Sequence, residues 1–211
     1  MEVIIMKVIL INGSPHTNGC TYTALSEAAK TLEENGIDTE IIQVGNKDVR
    51  GCNACGKCRE LGKCVFDDIV NEVAPKFEEA DGIIIGSPVY YASVNGTVLS
   101  FLDRLFYSGS FDKTMKVGAA VVSARRGGNT ATFDTLNKYF TISEMPIASS
   151  RYWNQVHGSC AEDVAKDEEG LQTMRVLGRN MAFLIKSIAL GKEQFGLPEK
   201  EPQKLFTNFI R

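Results

Sequence analysis

"VILINGSPHTNGCT", residues 8–21, sets an unbroken apolar run against a turn and the start of a helix. Val8-Ile9-Leu10-Ile11 has no polar alternation, so neither face of the predicted strand meets water. Asn12-Gly13-Ser14-Pro15 turns the chain. From Thr21 to Asn35, apolar or small residues at Leu25, Ala28, Ala29 and Leu32 follow helical spacing, which Gly36 stops. A doubly buried strand that leads at once into a helix is the unit of a parallel sheet.

The unit recurs along the chain. Thr39 to Val44 is β-branched and reads as a second strand, followed by a loop over residues 51–64. Asp67-Asp68 caps a helix running to about Glu79, Gly82 to Gly86 is a third buried strand, and Thr97 to Tyr107 a helix. Val117 to Val122 reads as a fourth strand, Thr132 to Phe140 as a helix, and Pro146 to Ser149 as a short fifth strand. Leu171, Met174, Leu177, Met181, Leu184 and Ile188 make one apolar face of a long last helix. The tail, residues 192–211, is polar and Pro-containing after Gly196. The prediction is a single α/β domain over residues 1–211: a five-stranded parallel sheet with helices on both faces.

Length and charge agree with this. A chain of 211 residues builds one sizeable core and is short for two. A net charge of -3 without basic runs argues against nucleic acid as a partner. The apolar run Val3 to Ile11 is broken by Lys7 and too short to span a bilayer. It also lacks a basic leader region and a small-residue cleavage site. The expectation is a cytoplasmic protein, away from membranes, with reduced thiols.

Parallel sheets bind ligands beyond the carboxyl ends of their strands. The loop after the first strand, Gly13 to Thr21, wraps hydroxyls, an amide and small residues around a helix start, where free N–H groups favour an anion. It has neither the lysine of a nucleoside-triphosphate loop nor the glycine spacing of a dinucleotide fold, so it suits a monophosphate. The loop after the third strand, Gly86-Ser87-Pro88-Val89-Tyr90-Tyr91, offers aromatic edges to a flat ring. The loop after the fourth, Ser123-Ala124-Arg125-Arg126-Gly127-Gly128-Asn129, allows close backbone approach through its glycines. Together these loops describe one site for a planar ring carrying one phosphate.

"GSPHTNGCT", "GSPVYYASVNGTVLSFLDRL" and "SARRGGNTATFDTLNKYF" resemble the flavin-contacting segments of the flavodoxin-like NADPH-dependent FMN reductase superfamily. The likeness covers most of the chain, including "RYWNQVHG" and "DEEGLQTMRVLGRNMAFLIK". It implies a flavodoxin-like three-layer fold with FMN as cofactor. By that resemblance Ser14, His16, Asn18, Gly19, Cys20 and Thr21 surround the phosphate. Pro88, Val89, Tyr90 and Tyr91, with Ser123, Ala124, Arg125, Gly127 and Gly128, border the ring. Two positions depart from the pattern: His16 stands where arginine is usual, giving up a fixed charge, and Cys20 where asparagine is usual. Cys20 reads as a small packing residue rather than a reactive thiolate.

Cys52, Cys55, Cys58 and Cys64 follow the spacing C-x2-C-x2-C-x5-C within one short loop. Structural zinc usually takes two knuckles separated by a longer stretch. A compact loop that supplies all four thiolates resembles iron–sulfur ligation. Gly51, Gly56 and Gly62 permit tight turns, and Lys57, Arg59 and Lys63 offset a cluster's negative charge. Within the superfamily this spacing is similar to that of the iron–sulfur flavoproteins, which implies a [4Fe-4S] cluster beside FMN. Cys64 is followed by Val65, not by the proline frequent in ferredoxin runs. Structural or redox-sensitive thiols without a cluster remain an open alternative.

The flavin does the chemistry, so no catalytic residue is assigned. Asp103 and Arg104 read as a surface or subunit-contact pair. Electron sources divide the readings: a ferredoxin-type donor acting through a cluster, or NAD(P)H in a plain reductase passing hydride to a quinone, flavin or other small molecule. A non-enzymatic carrier and a thiol redox sensor are rivals from another class. Arg151 to Asn154, the cysteine loop, Phe195, Phe206 and Phe209 lie outside the core pattern and suit contact with a neighbour. A homodimer or homotetramer is expected, as the resemblance also implies.

Overall fold

The computed structural model describes residues 6–202, Leu205 and Thr207. Phe206 and Phe209, expected to cover a neighbour, lie outside the described residues. Strand β1 (Lys7–Asn12) leads into helix α1 (Cys20–Glu34), followed by β2 (Asp38–Gln43) and the short α2 (Cys58–Leu61). Then come α3 (Ile69–Glu79), β3 (Gly82–Tyr90), β4 (Ser93–Val94), α4 (Gly96–Ser108), β5 (Val117–Ala124) and α5 (Asn129–Thr141). The chain continues through β6 (Gln155–His157), α6 (Ala161–Val164) and α7 (Glu168–Phe195). The order β2-β1-β3-β5-β6 is parallel throughout, and β4 adds a short antiparallel pair to β3.

The unalternating strands are apolar because both faces are covered. From β1, Val8 and Leu10 point into a core with α1 and α7, whereas Ile9 and Ile11 point into a second core with α3, α4 and α5. Strands β3 and β5 divide in the same way: Ile84 and Val121 enter the first core, Ile83, Ile85 and Val122 the second. This is the predicted three-layer flavodoxin-like arrangement. Helix α7 packs closely on α1 at Gly178, where a Cβ would stand 2.8 Å from the Thr31 Cβ. No described helix is long and apolar enough to cross a membrane.

Several expected boundaries move. The fifth parallel strand is β6, since Pro146 to Ser149 contributes only an isolated bridge from Ile147 to Gly118. The segment expected as a loop after Gly86 stays extended, because Ser87 and Pro88 remain in register with Val122 and Ser123 of β5. It then folds back through Tyr91 and Ala92, both at positive φ, into β4. The cysteine segment contains α2, which ends at Gly62 in the left-handed region. Helix α5 starts at Asn129, ahead of the expected Thr132, and α7 runs four residues into the expected tail.

On β2, Glu40 accepts hydrogen bonds from Lys7 at 2.7 Å and from Lys76 of α3. These bonds, Lys7 first, hold its carboxyl below the usual value of 4.5 despite some desolvation. The folded pKa therefore lies below the unfolded one. The stabilisation is complete at neutral pH and is lost as pH falls below the usual value through the depressed one. Glu40→Gln should flatten the acid limb of stability between those two values, as read by denaturant titrations across pH.

Candidate functional site

Asn12 closes β1 with its side chain fully buried. Its Nδ2 donates to the Gln43 Oε1 at 2.6 Å and to the Thr17 carbonyl at 3.2 Å, and its Oδ1 accepts from the Ser14 N–H at 3.2 Å. Asn12 and Gln43 are register partners of β1 and β2. Gln43 adds a bond of its own, Nε2 to the Ser14 carbonyl at 2.7 Å. The loop after β1 is therefore pinned from both sides by two neighbouring strand ends. Asn95, the N-cap of α4, ties it to the third side by donating to the Gly13 carbonyl at 3.1 Å. Gly45 lies so close behind that a Cβ would fall 2.2 Å from the Gly13 carbonyl oxygen.

This pinned loop forms one wall of a cavity of about 800 Å³ at the carboxyl ends of the strands. Ser14, His16, Asn18, Gly19, Cys20 and Thr21 line it, as do Pro88, Val89 and Tyr90 and then Ser123, Ala124 and Arg125. Tyr91, Gly127 and Gly128 do not. Tyr91 is fully exposed at the tip of the β3–β4 turn, and Gly127 is exposed on the turn before α5. Gly128, at φ 93°, packs under the hairpin, where a Cβ would lie 2.6 Å from the Ala92 Cα. The opposite wall is Gly158 to Glu162, the loop after β6 and the first residues of α6. Sequence reasoning missed that wall because it put the fifth strand too early. The rule about strand carboxyl ends points to it once β6 is in place.

The cavity floor is polar, and among the described lining residues Glu162, on the far wall, is the one acid. Helix α1 begins at Gly19 without a side-chain cap and without an acidic residue in its first turn, and its first residues, Gly19 to Thr21, line the cavity. Thr21 Oγ1 and Ser123 Oγ are buried and 2.8 Å apart. Ser14 Oγ accepts from the His16 N–H at 3.1 Å, which leaves its own proton to donate. Cys20 packs against the α1–α7 core, and burial pushes its thiol up from the usual 9.0. That fits the packing role, with the thiol protonated at neutral pH.

A second constellation lies on the loop after β2. Cys52, Cys55, Cys58 and Cys64 line one small cavity with Phe66, Arg104 and Tyr107. Ala54, Gly56 and Gly62 adopt positive φ and wind the loop around it. Among the described residues, no three acidic, histidine or cysteine side chains converge on single-ion geometry. Two N–H groups point at the sulfurs: Ala54 to Cys52 at 3.4 Å and Arg104 Nε to Cys64 at 3.2 Å. Asn71 holds Cys64 as well, accepting from its N–H at 3.1 Å and donating to its carbonyl at 2.9 Å.

The expected surface pair Asp103–Arg104 is corrected here. Asp103 accepts from the Tyr139 hydroxyl at 2.5 Å, whereas Arg104 is 1% exposed and ion-paired with Asp68 at 2.6 Å. Adjacent residues on a helix project in different directions, so the two carry unrelated duties.

Residues 6–158 match the family model described as NADPH-dependent FMN reductase. An iron-sulfur flavoprotein of Methanocaldococcus jannaschii is 37% identical over 191 residues, covering 87% of this chain and 99% of that protein. One from Methanosarcina thermophila is 28% identical over 194 residues, 90% of this chain and 100% of that protein. The solved structure of a flavodoxin from the domain Archaea superposes with a TM-score of 0.59 at 19% identity, over 86% of this chain and 99% of that one.

Gln43→Ala removes two hydrogen bonds that hold the loop after β1, each worth about 0.5–1.5 kcal/mol net. Affinity for a ligand seated on that loop should fall roughly ten-fold, with little change in melting temperature. Fluorescence titration with FMN beside a thermal melt checks this.

Proposed function

The chain belongs to the NADPH-dependent FMN reductase family and is an FMN-dependent electron-transfer oxidoreductase, and from that premise we propose that it couples FMN in the large cavity to a [4Fe-4S] cluster on Cys52, Cys55, Cys58 and Cys64. The observation that carries the FMN placement is the pairing of a capless helix start and buried hydroxyls with an apolar wall. The leading amides of α1 and the hydroxyls of Ser14 and Thr21 would hold the phosphate. Pro88, Val89 and Tyr90 on one side and Ser123 to Arg125 on the other would flank the ring. His16 adds an imidazole beside that phosphate where a guanidinium is usual, and the amides carry most of the anion binding. When bound, FMN supplies hydride and single-electron exchange, so the protein's task is to orient the ring and admit a donor.

The donor set supports the cluster. Four thiols of one loop line one cavity, residues at positive φ wrap the backbone around it, and two N–H groups address the sulfurs. The names of the two archaeal relatives agree with this reading. Lys57, Arg59 and Lys63 are exposed around the cysteines and present positive charge to an acidic, ferredoxin-type redox partner. A small-molecule acceptor or NAD(P)H would reach the ring through the open side of the large cavity. A cytoplasmic location accords with this reading, since a loop of four thiols stays reduced there.

The working unit is a homodimer or homotetramer with the flavin near a subunit boundary. Tyr91 at the cavity rim is wholly exposed, and Tyr152, Trp153 and Phe195 are at least half exposed, a set of apolar side chains suited to a second copy.

Substitution separates the two cofactors. Ser14→Ala or Thr21→Ala should weaken FMN binding by about 1.5–3 kcal/mol, the worth of a hydrogen bond to a charged group, and leave iron content unchanged. Replacing any one of Cys52, Cys55, Cys58 or Cys64 by Ser should remove most iron and sulfide after anaerobic reconstitution, with FMN retained. Cys20→Ser and Cys160→Ser should keep both. Iron uptake that does not depend on the loop cysteines would refute the cluster assignment.

A further inference from the structure

Arg104 projects from α4 into the base of the cysteine loop, where every N–H of its guanidinium has a partner. Nη1 donates to Asp68 Oδ2 at 2.6 Å and to the Arg50 carbonyl at 3.3 Å. Nη2 donates to Asp68 Oδ1 at 2.9 Å and to the Phe66 carbonyl at 3.3 Å. Nε donates to the Cys64 sulfur at 3.2 Å. One side chain thus joins the residue that precedes the loop, the residues that close it, and the N-cap of α3. The guanidinium is 1% exposed, and the fork to Asp68 offsets the cost of burying its charge. Among the described residues, Cys64 is the one thiol of the four that accepts from a cationic donor.

A donor this specific does more than hold the loop. Reducing an iron–sulfur cluster adds negative charge that spreads onto its sulfurs, and an N–H aimed at a ligand sulfur stabilises the reduced form more than the oxidised form. We propose that Arg104 is a positioning residue for the cluster: its Nε–H fixes Cys64 and raises the cluster's reduction potential. The inference rests on the cluster reading above. Because Asp68 neutralises the guanidinium, the hydrogen bond, rather than net charge, sets the effect.

The chemistry of the side chains provides the test. Glutamine places an N–H donor where the Nε of arginine stands, and methionine places a methyl group there. Asp68→Asn keeps an N-cap on α3 and removes the charge that either neutral replacement would leave unpaired. The two double variants, Asp68→Asn/Arg104→Gln and Asp68→Asn/Arg104→Met, then differ only in the donor to sulfur. The full-length protein is reconstituted anaerobically, FMN and iron contents are measured, and the cluster potential is read by redox titration followed by electron paramagnetic resonance. The expected result is a potential close to wild type for the Gln variant and a lower one for the Met variant. The Met variant should also lose iron to a chelator about ten-fold faster or more. Equal potentials in the two variants would overturn the proposal. If the double variants fail to retain FMN, Arg104→Lys decides, since it keeps a cation near Asp68 but sets a methylene against the sulfur. A lowered potential supports the role of Nε and an unchanged one refutes it. Wild-type protein that takes up FMN but no iron would fail the cluster reading itself, before any Arg104 variant is made.

Discussion

Closure of the sheet on both faces is the constraint from which the rest follows. With α1 and α7 on one side and α3, α4 and α5 on the other, β1, β3 and β5 have no solvated face on which to carry chemistry. Polar residues can enter only where the strands end. At the carboxyl ends, Asn12 and Gln43 pair side by side on adjacent strands and fold the loop after β1 into place. The same end of the sheet delivers Ser87 to Asn95 and Ser123 to Thr21. The cavity's polar wall therefore stands on strand ends and helix starts, with the loop after β1 pinned between them.

The cysteine loop is attached by other means. Its middle is exposed, with Cys52 and Cys55 open to solvent, and no regular strand pairing supports it. Its order comes from its two ends, where Asn71 and Arg104 gather Arg50, Cys64 and Phe66 against α3 and α4. A buried cation is costly unless every donor is satisfied, and here the whole fork is occupied. Anchored ends and an exposed middle suit a loop that would close around the proposed cluster.

Much of this was legible in the residues. Continuous apolar runs identified β1, β3 and β5, and the spacing from Leu171 to Ile188 identified α7, because burial on two faces and on one stripe leaves distinct patterns. The strand β6 was not legible. Its three residues contain one fully buried apolar side chain, Val156, and Pro146 to Ser149 offered a more strand-like run that forms only a bridge. That error also hid the wall from Gly158 to Glu162. Gln43 escaped notice, and Arg104 was read as a surface residue, for another reason. Each acts through partners 29 to 54 residues away, and only the folded chain brings these together. Tyr91 resembled a ring contact on sequence grounds, but the two-residue turn to β4 points it outward to the rim.

The central claim is that one chain carries two redox groups, one seated on strand ends and one in the cysteine loop. A combined assay of FMN, iron and acid-labile sulfide on the anaerobically purified protein tests it most directly, together with its visible absorption before and after reduction. The account predicts FMN with iron and sulfide in equal amounts at cluster stoichiometry, and broad iron–sulfur absorption beneath the flavin bands that bleaches on reduction. Protein saturated with FMN, yet with neither iron nor sulfide after anaerobic reconstitution, would contradict it.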